Sequence, residues 1–296
     1  MSLAKFEIFS TIVALGSFAK ASEKLGLTQS AVSHAIASLE REYGFSLLTR
    51  GRSGIHLTTN GERVLSYMNA MLKIEKEMQQ EIAQLNGLVV GEVRIGTFSS
   101  VSAQWLPEIL QHFKSQYPHI DIQLFEGDYD DIESWIASGY VDFGFVSLPT
   151  SYQFEVKPLK KDRMVCLVEQ HHPLAQLDNV HWKAMEQYPF IRAKKGSDND
   201  LKRILKAHHI DLNVRFELFD DQAIFSMVSH DIGISVLSEL AVYRVPDNIR
   251  IVHLQPEEYR TIGIAAQSFS TLAPATKKLI DYLTAYVERT TQKEAH

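Results

Sequence analysis

The chain has 296 residues, 45% hydrophobic and 22% charged, with a formal net charge of −6. That length accommodates a small domain plus two α/β lobes. A single cysteine excludes an intramolecular disulfide, no apolar run of about eighteen residues offers a membrane span, and the N-terminus lacks the pattern of an export signal, so a cytoplasmic protein with no membrane partner is expected.

Two short amphipathic segments occupy 17–39. Phe18, Ala21, Ser22 and Leu25 share one helical face, with Ser17 placed to cap it. Gly26 suits the left-handed residue that ends a helix. Thr28 can cap a second helix whose buried stripe is Val32, Ala35, Ile36 and Leu39. Gln29, Ser30, Ser33 and Ala37 then point away from that stripe, with His34 beside them. Gln, Ser and His offer hydrogen bonds to base edges, and an alanine meets a thymine methyl. This is a helix-turn-helix pattern, and its second helix would enter the major groove by its N-terminal end. Taken alone, the pattern also fits a plain helical hairpin with a polar surface.

The next segment favours DNA. Residues 45–50 and 55–57 are short apolar runs flanking Gly51, Arg52, Ser53 and Gly54, which predicts a small hairpin with a basic tip. Arg50 and Arg52 either neutralise phosphates or are solvated surface arginines. Residues 1–66 carry seven basic and five acidic side chains, whereas the whole chain is acidic. A basic head on an acidic body confines a nucleic-acid contact to one end, and the small excess implies modest non-specific affinity. The expected DNA-contacting set is Ser17, Lys20, Thr28, Gln29, Ser30, Ser33, His34, Arg50 and Arg52.

Over residues 1–66 the chain resembles the LysR-type transcriptional regulators. The resemblance rests on an opening helix with Phe6 and Phe9, the GSFAKASEKLGLTQSAVSHAIASLE run, the Leu47-Leu48-Thr49-Arg50 segment, and Leu57-Thr58-Thr59-Asn60-Gly61. Ser30 and Leu48 stand where the family often has proline and phenylalanine. Position 34 varies in the family, which would give His34 a role in operator specificity.

A connector follows. Thr59-Asn60-Gly61-Glu62 matches a capping box, and Val64, Met68, Met71, Glu75, Met78, Ile82 and Leu85 step alternately by four and three until Gly87. This heptad seam, broken at Glu75, is expected to join two copies, because a DNA reader of this kind needs symmetry. The resemblance implies the same dimerising linker helix.

Beyond 91 the pattern changes to alternating strands and helices. Strands are predicted over 92–97, 120–125, 141–147, 156–159, 164–169, near Phe190, and over 214–218, 232–237, 249–254 and 261–266. Leu106, Ile109, Leu110, Phe113 and Tyr117 mark a helix ended by Pro118, with further helices over 132–138 and 273–288. Such alternation argues an α/β body with ligands at the C-terminal ends of strands. The 126–145 stretch, His172-Pro173-Leu174-Ala175 and Asp231-Ile232-Gly233-Ile234 extend the resemblance. It implies a periplasmic-binding-protein-like domain of two subdomains around a small-molecule cleft.

The expected fold is thus multidomain. An all-α winged helix-turn-helix domain (1–58) leads into a linker helix (59–90), then an α/β effector domain with subdomain 1 at 91–161 plus 267–296 and subdomain 2 at 162–266.

Ser99, Ser100 and Val101 begin a helix after the first strand, and Gly196-Ser197-Asp198 precede the helix carrying Leu201, Ile204 and Leu205. Two such helix starts facing one cleft would favour an anion, although Ser and Asp cap helices generally. Ser147 and Arg192, at strand ends, complete the candidate cleft, with Arg192 either a charge partner or a surface ion pair. Asp128 and Tyr129 stand where the family commonly has a small polar residue. Asp128 would repel an anion and favour an amine, or merely cap a helix; Tyr129 would narrow the pocket, or lie on the surface.

An enzyme is the rival class. The chain has no GxxxxGK phosphate loop, no GxSxG elbow and no HExxH. His171-His172 and His208-His209 are adjacent pairs, which suit a metal poorly, and Cys166 sits in an apolar strand. No catalytic residue, metal or cofactor is therefore expected. The reading is a sequence-specific DNA-binding transcriptional regulator whose operator binding is modulated by a small-molecule effector between two α/β lobes. The alternative is a ligand-binding architectural DNA-binding protein that does not switch. Expected partners are double-stranded operator DNA, a second copy through the linker helix, and the effector. The resemblance adds a homotetramer and RNA polymerase.

Overall fold

The computed structural model describes residues 2–51, 54–85, 90–194, 196 and 198–294. Three helices open the chain: α1 (Leu3–Leu15), α2 (Phe18–Leu25) and α3 (Gln29–Tyr43). Each ends on a glycine in the left-handed region, Gly16, Gly26 and Gly44, where a β-carbon would be strained. Ser17 Oγ accepts from the Lys20 N–H at 3.3 Å and Thr28 Oγ1 from the Ala31 N–H at 3.1 Å, so both predicted caps form. The predicted stripes are the inward faces: Ala21, Val32, Ile36 and Leu39 pack with Phe6, Phe9, Ile12 and Leu47. Each large aliphatic or aromatic side chain buried there contributes about 1.5–3 kcal/mol. Antiparallel strands β1 (Leu48–Gly51) and β2 (Gly54–Leu57) form the wing. Its tip, Arg52 and Ser53, lies outside the described residues, as does the Arg50 side chain.

The linker helix α4 (Thr59–Leu85) starts as predicted but is capped one residue earlier: Thr58 Oγ1, not Thr59, accepts from the Gly61 N–H at 2.9 Å. A β-carbon on Gly61 would lie 2.2 Å from the Leu47 carbonyl oxygen, so only glycine lets helix and wing approach this closely. Leu65 and Met68 are buried in the N-terminal core, with Val64 packed beside them. The helix therefore belongs to that core for its first turns, and the division at 58 cuts through a packed unit. The proposed seam is also corrected. Its first two positions face inward, and the exposed apolar stripe runs through Tyr67, Met71, Ile74, Met78 and Ile82, passing Glu75 on the neighbouring Ile74. Gly87, the expected stop, lies outside the described residues.

The body is two lobes. In lobe 1, strands β3 (Gly91–Thr97), β4 (Ile120–Glu126), β5 (Phe143–Leu148) and β12 (Tyr259–Ala266) run in the order β4-β3-β5-β12. Around them lie α5 (Ser99–Gln104), α6 (Leu106–Gln116), α7 (Tyr129–Ser138) and the terminal α10 (Pro274–Glu294). In lobe 2, β7 (Asn179–His181), β8 (Pro189–Ala193), β9 (Asn213–Leu218), β10 (Ser235–Ser238) and β11 (Ile249–Gln255) pack with α8 (Asn199–His208) and α9 (Asp221–Ser229).

Two features differ from expectation. The strands predicted over 156–159 and 164–169 are one long strand, β6 (Glu155–Glu169), which pairs with β12 through its first half and with β10 and β11 through its second. It therefore crosses between the lobes. And β12, placed by sequence in subdomain 2, hydrogen-bonds along its length to β5 of lobe 1. Its apolar Ile262, Ile264, Ala265 and Ala266 are buried in the lobe 1 core, which moves the second crossing to the turn between β11 and β12.

The N-terminal helical domain touches lobe 1 directly. Lys24 Nζ of α2 lies 4.4 Å from the Phe125 ring centroid and 3.4 Å from the Tyr140 hydroxyl. On α4, the buried Asn69 amide donates to the Ser138 carbonyl, and Lys76 pairs with Glu92 at 2.7 Å.

Candidate functional site

The outward side of α3 carries Gln29, Ser30, His34 and Ala37, all exposed, with Ser33 half-buried between them. Lys20 is exposed on α2, while Ser17 and Thr28 are spent on their caps. One end of the domain thus presents donors, acceptors and a methyl group on a rigid helix whose opposite face is fixed in the core, with a β-hairpin beside it. This matches the geometry of a major-groove reader with a wing.

The second site lies between the lobes. A cleft is lined by residues of both, including Phe98, Ser99, Ser100 and Tyr129 from lobe 1 and Asp198, Asp200, Asp221 and Ser238 from lobe 2. Hydrogen bonds bridge it. Ser147 Oγ donates to Asp200 at 2.7 Å, Ser99 Oγ to Asp221 at 3.3 Å, the Tyr129 N–H to the Gly196 carbonyl at 3.3 Å, and the Asn199 amide to Asp130 at 3.4 Å. The lobes are therefore drawn together.

Arg260, near the start of β12, organises the floor. Its Nε donates to Asp162 at 2.7 Å, its Nη1 to the Tyr129 hydroxyl at 2.8 Å and its Nη2 to Ser100 Oγ at 2.8 Å, and its guanidinium lies 5.1 Å from the Phe98 ring centroid. Burial opposes the Arg260 charge, but Tyr129 and Asp162 outweigh that penalty and hold its pKa above the ordinary value. Burial pushes the Tyr129 phenol up to about 12, so it stays neutral. This one arginine joins α5, α7 and both strands at the crossing.

Of the residues expected in the cleft, Ser99, Ser100 and Tyr129 line it. Val101 does not: it is fully buried in the lobe 1 core. Asp128 caps α7 in a reciprocal capping box with Asp131, as its plainer reading held. Ser147 lies behind the lining, bonded to Asp200. Arg192 is an ion-pair residue, joined to Glu217 and lying 3.5 Å from Asp198, and does not reach the lining. Ser197 lies outside the described residues. Sequence reasoning missed Arg260, Asp162, Asp200, Asp221 and Ser238, and named Asp198 only as part of a helix start. The one available signal was a lone arginine in the apolar run YRTIGIAA.

Cys166 is fully buried, and burial pushes its thiol up to about 12, which leaves it protonated and unreactive.

Comparison with known proteins matches both regions of the chain. Residues 3–62 match the family described as bacterial regulatory helix-turn-helix protein, lysR family, and residues 86–288 match the LysR substrate binding domain. The HTH-type transcriptional regulator YvbU of Bacillus subtilis (strain 168) is 30% identical over 95% of this chain and 97% of its own length. The HTH-type transcriptional activator CmpR of Synechocystis sp. is 28% identical over 97% and 96%. Full-length OxyR from Pseudomonas aeruginosa, solved as a cysteine-to-aspartate variant, superposes with a TM-score of 0.71 at 20% identity, covering 97% of this chain and 94% of that one. The CcmR regulatory domain of Synechocystis PCC6803, solved in complex with 2-PG, superposes with a TM-score of 0.61 at 25% identity, over 66% of this chain and 97% of that one. The chain belongs to the LysR family of bacterial transcriptional regulators, DNA-binding proteins with a helix-turn-helix head and an effector-binding body.

Proposed function

We propose that the exposed side of α3 reads the operator, with Gln29, Ser30, Ser33 and His34 at base edges and Lys20, Arg50 and Arg52 at phosphates. The observation that carries this reading is the division of α3 into a packed apolar face and a free polar one beside the wing. Two copies join through the exposed stripe of α4, where Tyr67, Met71, Ile74 and Met78 would leave water. Dimerisation sets two recognition helices about one DNA turn apart, or a multiple of it. A homotetramer built from two such dimers, and contact with RNA polymerase at the promoter, complete the assembly, which acts in the cytoplasm where the chromosome lies.

The effector occupies the inter-lobe cleft. CcmR, a relative of the same body fold, holds 2-PG, which supports a small molecule as the ligand class. The switch has a direct path. Ligand in the cleft changes how the lobes meet at Arg260, lobe 1 carries Phe125, Tyr140 and Ser138, and these touch α2 and α4 of the DNA-binding end. Couplings of this kind are worth about 1–3 kcal/mol. The test is an operator titration with and without ligand. A shift in footprint or affinity of about five- to 150-fold is expected. A footprint and affinity indifferent to a ligand shown to bind would instead make the protein a non-switching architectural binder.

A further inference from the structure

The lobe 2 side of the cleft has an unusual charge balance. Helix N-termini attract anions, but here the chain supplies its own: Asp198 and Asp200 at the start of α8, Asp221 in the first turn of α9. Most charges near the cleft have a counter-charge. Asp198 has Lys202 at 2.8 Å and Arg192 at 3.5 Å, Asp200 has Arg203 at 3.4 Å, and Arg260 has Asp162 at 2.7 Å. Among the described charged residues that line the cleft, Asp221 is the exception. It is half-buried on the lining and accepts a hydrogen bond from Ser99, yet among the described residues no cation lies within ion-pair distance of it. Burial raises its pKa, which the Ser99 bond and the more distant Arg260 only partly offset.

A second, independent observation comes from the same lining. Ser238 is 4% exposed, and its Oγ has no hydrogen-bond partner. It precedes a 3-10 turn, a position where serine ordinarily caps the backbone, but this hydroxyl makes no cap bond. A buried, unused hydroxyl costs free energy unless something completes it.

We propose that the effector of this protein is a small molecule bearing a protonated amine, whose ammonium pairs with Asp221 and whose neighbouring polar group accepts from Ser238. This rests on the reading of the cleft as the effector site and adds the chemical class of its occupant. The ammonium supplies the missing counter-charge of Asp221, whereas a wholly anionic ligand would meet that unpaired carboxylate and an arginine already neutralised by Asp162. The amine preference considered for Asp128 thus belongs to Asp221, since Asp128 is committed to capping α7.

The experiment uses the full chain, with calorimetry and thermal shift against ethanolamine, putrescine and succinate, the last being the dicarboxylate counterpart of putrescine. Binding of an amine and none of succinate is expected. Asp221→Asn, which keeps the side-chain shape, should weaken amine binding by at least about thirtyfold, the fold-change for the lower end of losing one partner of a buried charge pair. Ser238→Ala should weaken it less. Silence of both amines, or amine binding unchanged in Asp221→Asn, overturns the proposal. A third variant, Ala193→Phe, fills the cleft, which Ala193 also lines. Succinate binding that Ala193→Phe abolishes would keep the cleft and reject the amine, whereas ligand binding untouched by that filling would reject the cleft itself.

Discussion

Removing the Asp162 carboxylate tests whether Arg260 holds the lobe crossing together. Asp162 is 2% exposed and Arg260 is 6% exposed, so neither charge has water to fall back on. The carboxylate accepts from Arg260 Nε at 2.7 Å and from the Leu240 N–H at 3.0 Å. Asp162→Ala therefore leaves a buried guanidinium without its counter-charge and a buried backbone donor without a partner. Breaking such a pair costs about 3–5 kcal/mol. For a body of this size that corresponds to a fall in Tm of about 6–20 °C. The assay is calorimetric unfolding of the full chain with Asp162→Ala, Asp162→Leu, Arg260→Leu and the double variant Asp162→Leu/Arg260→Leu. The double variant should recover much of the loss, because apolar replacement of a whole buried pair is often neutral or stabilising. Strictly additive losses, or a single-variant cost below about 1 kcal/mol, the size of an exposed pair, would refute the reasoning.

Three further outcomes are expected. Ile74→Glu puts a charge in the middle of the exposed α4 stripe, and by two-fold symmetry it does so twice in a dimer. With about 1.5–3 kcal/mol lost per large side chain left in water, sedimentation should show monomer at concentrations where the parent is dimeric; an unchanged dimer would place the interface elsewhere. Lys24→Ala removes the cation over the Phe125 ring, a contact worth about 0.5–2 kcal/mol. Amide exchange should then quicken in α2 and β4, and equal protection in both proteins would dissociate Lys24 from docking. For Asp221, a carboxyl whose folded pKa is raised costs the ligand-free protein stability at pH values above its folded pKa, and that cost vanishes below the unfolded pKa. Asp221→Asn should thus raise the Tm at neutral pH, with the gain shrinking as pH falls through the carboxylate range; a gain independent of pH would contradict it.

The DNA-binding end was legible because its signals are local. The spacing of Val32, Ile36 and Leu39, the caps Ser17 and Thr28, and the glycines that end helices all act within a few residues of one another. The cleft was only half legible. Ser99, Ser100 and Tyr129 adjoin a strand end or a helix start, but the Arg260–Asp162 pair spans 98 residues of chain, and no periodicity relates its members. The continuity of β6 was hidden by Lys160, Lys161, Asp162 and Arg163, which look like a turn between two strands. They remain extended because β12 pairs with them across the crossing. The α4 seam misled at Glu75 because strict heptad stepping skips Ile74, whose side chain is 64% exposed. Helix α9 was not anticipated, although Ile224, Phe225 and Val228 carry its buried side.

The central claim is that α3 reads base edges through its free face, and base-resolved operator binding tests it most directly. Selected and random duplexes would be titrated with the parent protein and with Gln29→Ala, Ser33→Ala and Arg52→Ala, each over a range of salt. The account predicts that Gln29→Ala or Ser33→Ala relaxes preference at one operator position by about 1–3 kcal/mol, while Arg52→Ala weakens all sequences alike and lowers the salt slope by about one. Equal losses on selected and random DNA for all three variants, or a protein that ignores duplex DNA at low salt, would contradict it.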